Sequence, residues 1–348
     1  MRRLLAALSL FPALAAAQQQ PAMKTNETIT VERILLDARV TDYSGNPMMG
    51  LTPKDFRVKV DGANATVESV EWIPESAVAR DLAGIDEPEK AAVNETLEIP
   101  PPKGRLLIFF FQTDFARVHE RMVGQMHLLA TVNDLVENLE DEDRVAVFSY
   151  DSHLKFRLDF SGDKRRIRDA MEQSLLTDEP APPPIVPMPS LAKRLDKKEM
   201  LDVKSPERAL LVVANALRPI PGPKSLILFG WGLGHLVGKH VTMGPDYGAA
   251  RLALESARVT VFSLDTTFAD SHSLEVGLEQ AAADTGGFYA KTHEFPTIAY
   301  ERLQRTLSGH YELEVKKPQT GNKGVHSIDV QVERKGAYVL ARSSYAEK

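Results

Sequence analysis

Six consecutive apolar residues, Leu106 to Phe111, constrain this chain more than any other stretch. They lie between Gly104-Arg105 and a polar break at Gln112, too short for a helix of ordinary length and without the alternation of a half-exposed strand. Such a run suits a strand buried on both faces, as in a parallel sheet. Beyond it Met122, Met126, Leu129, Val136 and Leu139 fall near helical spacing. Strand then helix predicts an α/β unit, and in open α/β sheets ligands meet the loop that leaves the strand's carboxyl end. Gln112, Asp114 and Ala116 are therefore the first candidate binding residues.

The same alternation continues to about residue 309. Strands are predicted at 144–150, 156–160, 226–229 and 259–264, and helices at 118–139, 164–175, 206–217, 246–257, 273–284 and 296–308. Ser205-Pro206-Glu207 supplies an N-cap, a proline at the first helical position and an acid in the first turn. Six prolines between Pro180 and Pro189, followed by a charged stretch, make 177–204 a loop. The acidic run 140–143 lacks the spaced acid-and-glycine pattern of a calcium loop and reads as a solvated turn. In Gly230-Trp231-Gly232-Leu233-Gly234 the third spacing of a dinucleotide fingerprint fails, so the glycines are not read as a phosphate cradle.

Both ends of the chain read as β. Ile34, Leu36, Ala38 and Val40 alternate with polar positions, and the phase slips upstream near Glu32-Arg33, as at a bulge. Phe56, Val58 and Val60 alternate, Asp61-Gly62 turns the chain, and 65–72 returns. The tail predicts strands at 311–315, 327–332 and 338–343. The organisation expected is an N-terminal β segment (27–73), a polar linker (74–102), an α/β domain (103–309) and a C-terminal β segment (310–345). The two β segments would form one β-sandwich, with the α/β domain inserted between them.

The first residues carry an export pattern: Arg2-Arg3, an apolar core at 4–16 and a small-residue cleavage site ending at Ala17. The core is shorter than the roughly 20 residues that span a bilayer, so cleavage and a secreted or periplasmic destination are expected, with no transmembrane segment afterwards. The chain has no cysteine, so neither a disulfide nor a thiolate enters the account. Its formal net charge of −6 gives no basic footprint for nucleic acid. Glycosylation patterns stand at Asn26, Asn64 and Asn94. There is no G-x-S-x-G elbow, H-E-x-x-H pair or G-K-[ST] loop. His235 and His240, five apart on a glycine-rich loop, read as surface histidines. Asp159, Asp163, Asp265 and Asp270 read as ordinary acids at strand ends and turns.

Asp143-Arg144-Val145-Ala146-Val147-Phe148-Ser149-Tyr150, then Phe160-Ser161-Gly162-Asp163, resemble the second and third strands of a von Willebrand factor type A (VWA) domain. Leu226-Ile227-Leu228-Phe229-Gly230 stands where that family's fourth strand would. Leu51-Thr52-Pro53-Lys54-Asp55-Phe56-Arg57-Val58, Val261-Phe262-Ser263-Leu264-Asp265 and Asp284-Thr285-Gly286-Gly287 resemble the exported VWFA-related branch abundant in Acidobacteria. The resemblance covers roughly 29–345 and implies a doubly wound, mostly parallel α/β sheet.

The resemblance also implies a metal-ion-dependent adhesion site: Asp-x-Ser-x-Ser after the first strand, a later threonine and an aspartate after the fourth strand. Here those positions carry Gln112, Asp114 and Ala116, with Ser205 as the nearest hydroxyl and Gly230-Trp231 after the fourth strand. One carboxylate among neutral groups is a poor set for octahedral Mg²⁺. Helix capping is the plainer role for Gln112 and Asp114. No cofactor is expected, with Mg²⁺ or another divalent cation the alternative and Asp114 its sole candidate ligand. The function expected is protein–protein interaction or adhesion to a cell-surface component, without a reaction. Two readings compete with it: a hydrolase whose site assembles only in the fold, and a structural subunit of an envelope assembly.

Overall fold

A computed structural model describes residues 33–84, 104–113, 123, 132–174, 190–268, 271–293, 295–318 and 324–347. The export pattern at 1–17, the phase slip at Glu32, Asp114, Ala116, most of the 118–139 helix and the proline run at 180–189 lie outside them.

The apolar runs form the centre of the α/β part. Strands β4 (Leu106–Gln112), β5 (Arg144–Tyr150), β6 (Leu154–Ser161), β7 (Lys224–Gly230), β10 (Val259–Asp265) and β11 (Tyr289–Lys291) make a six-stranded sheet in the order β11-β10-β7-β4-β5-β6. All neighbours are parallel except β6, which runs antiparallel to β5 at the edge. Every residue of β4, β7 and β10 is buried, which is why β4 reads as an unbroken apolar run rather than an alternating one.

The period of two sorts the strand side chains between two cores. Leu106, Ile108 and Phe110 face one side with Leu226, Leu228 and Val261. There they meet helices α4 (Pro206–Leu217), α5 (Tyr247–Ser256) and α6 (Glu275–Thr285). Leu107, Phe109 and Phe111 face the other side. They pack with Phe229 and Phe262 against α2 (Lys164–Glu172), α7 (Pro296–Thr306) and the helical residues 132–137. Phe229 stacks on Phe111 at 4.8 Å and meets Phe109 edge-on at 5.7 Å. Helices on both faces of a mostly parallel sheet make the doubly wound arrangement.

Strands from the two ends of the chain interleave in a second, seven-stranded sheet. They are β1 (Arg33–Thr41), β2 (Phe56–Val60), β3 (Ala63–Pro74), β12 (Gly309–Lys316), β13 (Val325–Val332), β14 (Tyr338–Ala341) and β15 (Ser344–Ala346), in the order β14-β1-β12-β3-β2-β13-β15. C-terminal β12 lies between N-terminal β1 and β3, antiparallel to both. Asp61 and Gly62 both take positive φ, 49° and 79°, the twist that a two-residue hairpin turn requires. The strand expected at 338–343 ends at Ala341 as β14, which pairs with β1; the following β15 pairs with β13, at the opposite end of the sheet order. Within the polar stretch 74–102, helix α1 (Ala77–Ala83) forms, its start capped by Ser76 and its end by Gly84 at φ 66°. In the 177–204 stretch a short helix, α3 (Lys197–Leu201), is capped by Asp196.

The alternation in β1 ends at Ala38, after which both faces are buried. Even-numbered residues enter the core of the terminal sheet. The opposite face lies against the α/β part, where Asp37 pairs with Arg258 and Glu312 shares the same guanidinium. Arg39 reaches Thr260 and lies 5.6 Å from the centroid of the Phe262 ring.

Candidate functional site

The sheet order reverses between β4 and β7, which are consecutive neighbours in space but not in sequence. A crevice outside the carboxyl ends of strands at such a switch point is where doubly wound folds take ligands. Gln112 ends β4 there, buried to 1% exposure. Its side-chain oxygen accepts the N–H groups of Trp231 at 3.0 Å and Gly232 at 3.3 Å. From the other side the amide and hydroxyl of Thr266 donate to the Gly230 carbonyl at 2.8 and 3.1 Å. Gln112, Gly230 and Trp231 are thus brought together, and the loop after β7 is tied to the ends of β4 and β10.

Two glycines in this region answer to crowding. A Cβ on Gly232 would lie 2.4 Å from Cβ of Leu274, and one on Gly277 would lie 2.3 Å from the Leu233 carbonyl. The loop after β7 and the start of α6 therefore touch backbone to backbone, which only glycine allows.

Ser205 caps α4, its hydroxyl accepting the N–H of Arg208 at 3.1 Å. Two residues on, the buried Glu207 carboxylate accepts the N–H of Gly234 at 2.6 Å and of Gly244 at 3.4 Å. Glu207 so gathers both feet of a small hairpin, β8 (His235–Val237) and β9 (His240–Thr242). His235 and His240 are exposed on it, facing solvent as surface histidines.

The described donors form a poor set for Mg²⁺. The Gln112 oxygen is taken by two backbone N–H groups, the Ser205 hydroxyl by the α4 cap, and Gly230-Trp231 offers no carboxylate. Magnesium requires near-octahedral oxygen ligation and dehydrates reluctantly, and a neutral amide oxygen already bonded twice does not repay that.

A second constellation stands one and two strands away, at the carboxyl ends of β10 and β11. Asp265 is 1% exposed. One of its oxygens accepts the Thr267 N–H at 2.9 Å; the other lies 2.7 Å from Nε2 of His272 and 2.8 Å from the Tyr289 hydroxyl. Glu275, the first residue of α6, is 3.4 Å from the same hydroxyl and 2.9 Å from Nζ of Lys291. Burial, reinforced by Asp265, pushes the Tyr289 hydroxyl well above its ordinary value, so it stays a proton donor. Its hydrogen bond to Glu275 likewise raises the Lys291 ammonium, which stays charged. Asp265 ends β10, the strand-end position read from the sequence, and is also the centre of a polar network. The His-x-x-Glu spacing of His272 and Glu275, seven residues beyond it, was the signal available in the sequence.

Exposed apolar side chains follow the carboxyl ends of three of these strands. Leu236 and Val237 follow β7, Phe268 follows β10, and Phe295 and Ile298 follow β11; each is at least half exposed. Four of them belong to connections that leave the carboxyl ends of parallel strands, and Ile298 lies in the first turn of α7 just beyond.

No family model matches the chain, and no curated protein matches it. Among solved structures it is similar to a von Willebrand factor type A protein from Catenulispora acidiphila, at 10% identity and a TM-score of 0.41, over 89% of this chain and 74% of that one. It is similar to an aerotolerance-related membrane protein from Bacteroides fragilis at 12% identity and a TM-score of 0.40, over 58% of this chain and 98% of that one. A likeness to the human COPII-coat protein Sec24c, at 13% identity and a TM-score of 0.40, covers 72% of this chain and 44% of that chain. The chain thus spans less than half of that coat protein's chain.

Proposed function

We propose that this chain is an exported VWA-type protein of the VWFA-related branch, and that it binds a protein partner at the carboxyl edge of its six-stranded sheet. The strands that the resemblance puts first to fourth are β4, β5, β6 and β7, and they lie side by side about the switch point. The carrying observation is that Leu236, Val237, Phe268, Phe295 and Ile298, each at least half exposed, all follow the carboxyl ends of β7, β10 and β11. Large apolar side chains left exposed at a ligand-binding edge mark an interaction surface more often than a solvated one. No helix among the described residues is long and apolar enough to cross a membrane. The export pattern supports a secreted or periplasmic place of action. The terminal strands, with one core shared by β1, β2, β12 and β13 and with β13 against β14, support a sheet folded over on itself as a sandwich.

Recognition in this reading is by shape and polar contacts, without an Mg²⁺ ion at Gln112 and Asp114 and without a chemical step. A ligand that binds only the folded state raises its melting temperature by mass action. Millimolar Mg²⁺ is therefore expected to leave the melting temperature unchanged, in the wild type and in Asp114→Ala alike. A rise that disappears in Asp114→Ala would establish an adhesion-type metal site. For the partner, the wild type is expected to retain one envelope protein in affinity capture, and Leu236→Asp with Phe295→Asp to lose it. Leu82→Asp, a control at a 69% exposed position on α1, should retain it. Equal capture by the wild type and the double variant would remove the proposed surface.

A further inference from the structure

We propose that Asp265, His272 and Glu275 form a site for one Zn²⁺ ion at the carboxyl ends of β10 and β11. One ligand atom from each of the three residues lies within 4.8 Å of the others. Zinc bound at about 2.0–2.2 Å holds tetrahedral ligand atoms about 3.4 Å apart. His272 and Glu275, whose side chains are 19% and 21% exposed, have room for that adjustment, while Asp265 at 2% is the fixed point. The Thr267 N–H and the Tyr289 hydroxyl already orient the Asp265 carboxylate, the kind of outer support that metal-ligating carboxylates have.

The cluster already attracts a cation. The Lys291 ammonium lies 2.9 Å from the Glu275 carboxylate, one positive charge beside the two carboxylates of Glu275 and Asp265. A divalent ion entering between them would take the place of the ammonium, which sits on a partly exposed side chain and can turn outward. The amino end of α6 opposes a cation here, but its dipole amounts to roughly half a charge against two formal ones. One imidazole and two carboxylates suit zinc, whereas Mg²⁺ and Ca²⁺ take all-oxygen sets. The other such triad among the described residues, Asp37, His310 and Glu312, lies under the Arg258 guanidinium, which ion-pairs with both acids. Arginine cannot give up its proton, so a metal there would meet a permanent charge already seated. The two triads therefore differ in kind, and only the first has an exchangeable cation.

The test is equilibrium dialysis of the chelator-treated full chain against Zn²⁺, with isothermal titration of the same samples. The wild type is expected to bind one equivalent. Affinity should fall by about tenfold or more in His272→Ala and in Glu275→Gln, and rise in Lys291→Ala, which removes the competing charge. These three side chains are partly exposed, and their melting curves without metal verify that each variant is folded. His235→Ala and His240→Ala should bind as the wild type does. Absence of saturable binding, binding undiminished in His272→Ala, or weaker binding in Lys291→Ala would each overturn the site.

Discussion

Replacing Arg39 by alanine is expected to cost the protein about 3–5 kcal/mol, the range for breaking a buried ion pair from one side. Arg39 is 2% exposed, on the face of β1 that meets the α/β part. Its guanidinium lies 3.2 Å from both oxygens of Glu75, and Nδ1 of His310 is 2.8 Å from the same carboxylate. The His310 nitrogens approach Glu75 and Asp37 without the alignment of a hydrogen bond, so Arg39 is the principal neutraliser. Burial alone would raise the Glu75 carboxyl, but Arg39 and His310 outweigh it and hold it at about 2. Asp37 is also held down, with Arg258 overcoming burial.

The sign of the pH dependence follows. A carboxylate whose folded value lies below its unfolded one stabilises the fold above the unfolded value. For Glu75 that contribution is complete above about 4.5 and is lost as the pH falls towards about 2. Urea denaturation between pH 6 and pH 2 should show this loss in the wild type and a shallower dependence in Arg39→Ala. The double variant Arg39→Met, Glu75→Gln should regain part of the stability, because no unpaired charge remains buried. An Arg39→Ala protein as stable as the wild type would show that the pair contributes nothing to stability.

Ending the chain at Gly309 should have the largest effect of all. Tyr311, Leu313 and Val315 of β12 are 1%, 0% and 0% exposed, and burying each side chain stabilises by roughly 1.5–3 kcal/mol. The Tyr311 hydroxyl also accepts the Leu51 N–H at 3.2 Å and donates to the Met48 carbonyl at 2.8 Å. Loss of these contacts approaches the whole margin of about 5–15 kcal/mol by which domains are stable. It also leaves β1 and β3 with open edges facing each other. Amide exchange should become fast throughout 34–41 and 63–74, while the β4 and β7 amides keep their protection. Slow exchange in β1 and β3 of the shortened chain would mean that the N-terminal β segment does not depend on the tail.

The buried strands were legible because their physics is local. A continuous apolar run announces two covered faces, and Ser205-Pro206-Glu207 or Asp61-Gly62 carries its own backbone geometry. What joins distant residues was not legible. Arg39 and Asp37 occupy the polar phase of an alternating strand and read as solvent-facing, yet that face is covered by Arg258, Thr260 and Phe262, more than two hundred residues away. Gln112 reads in the sequence as a defective metal ligand or a helix cap; the bonds of its oxygen to the backbone of a loop at 231–232 could not be read there. The Asp265 network needs Tyr289 and Lys291 from a neighbouring strand, and no single stretch of sequence contains it. The division of the tail after Ala341 depends on two partners at opposite ends of a sheet, which periodicity within the stretch cannot register.

Amide exchange of the full chain with and without its captured partner tests the interaction surface most directly. The loops leaving β7, β10 and β11 should gain protection on binding, at residues 231–244, 266–268 and 295–298. The edge strands of the terminal sheet, at 338–341 and 344–346, should exchange as they do in the free protein. Protection confined to the terminal sheet, with the three loops unchanged, would contradict recognition at the carboxyl edge of the six-stranded sheet.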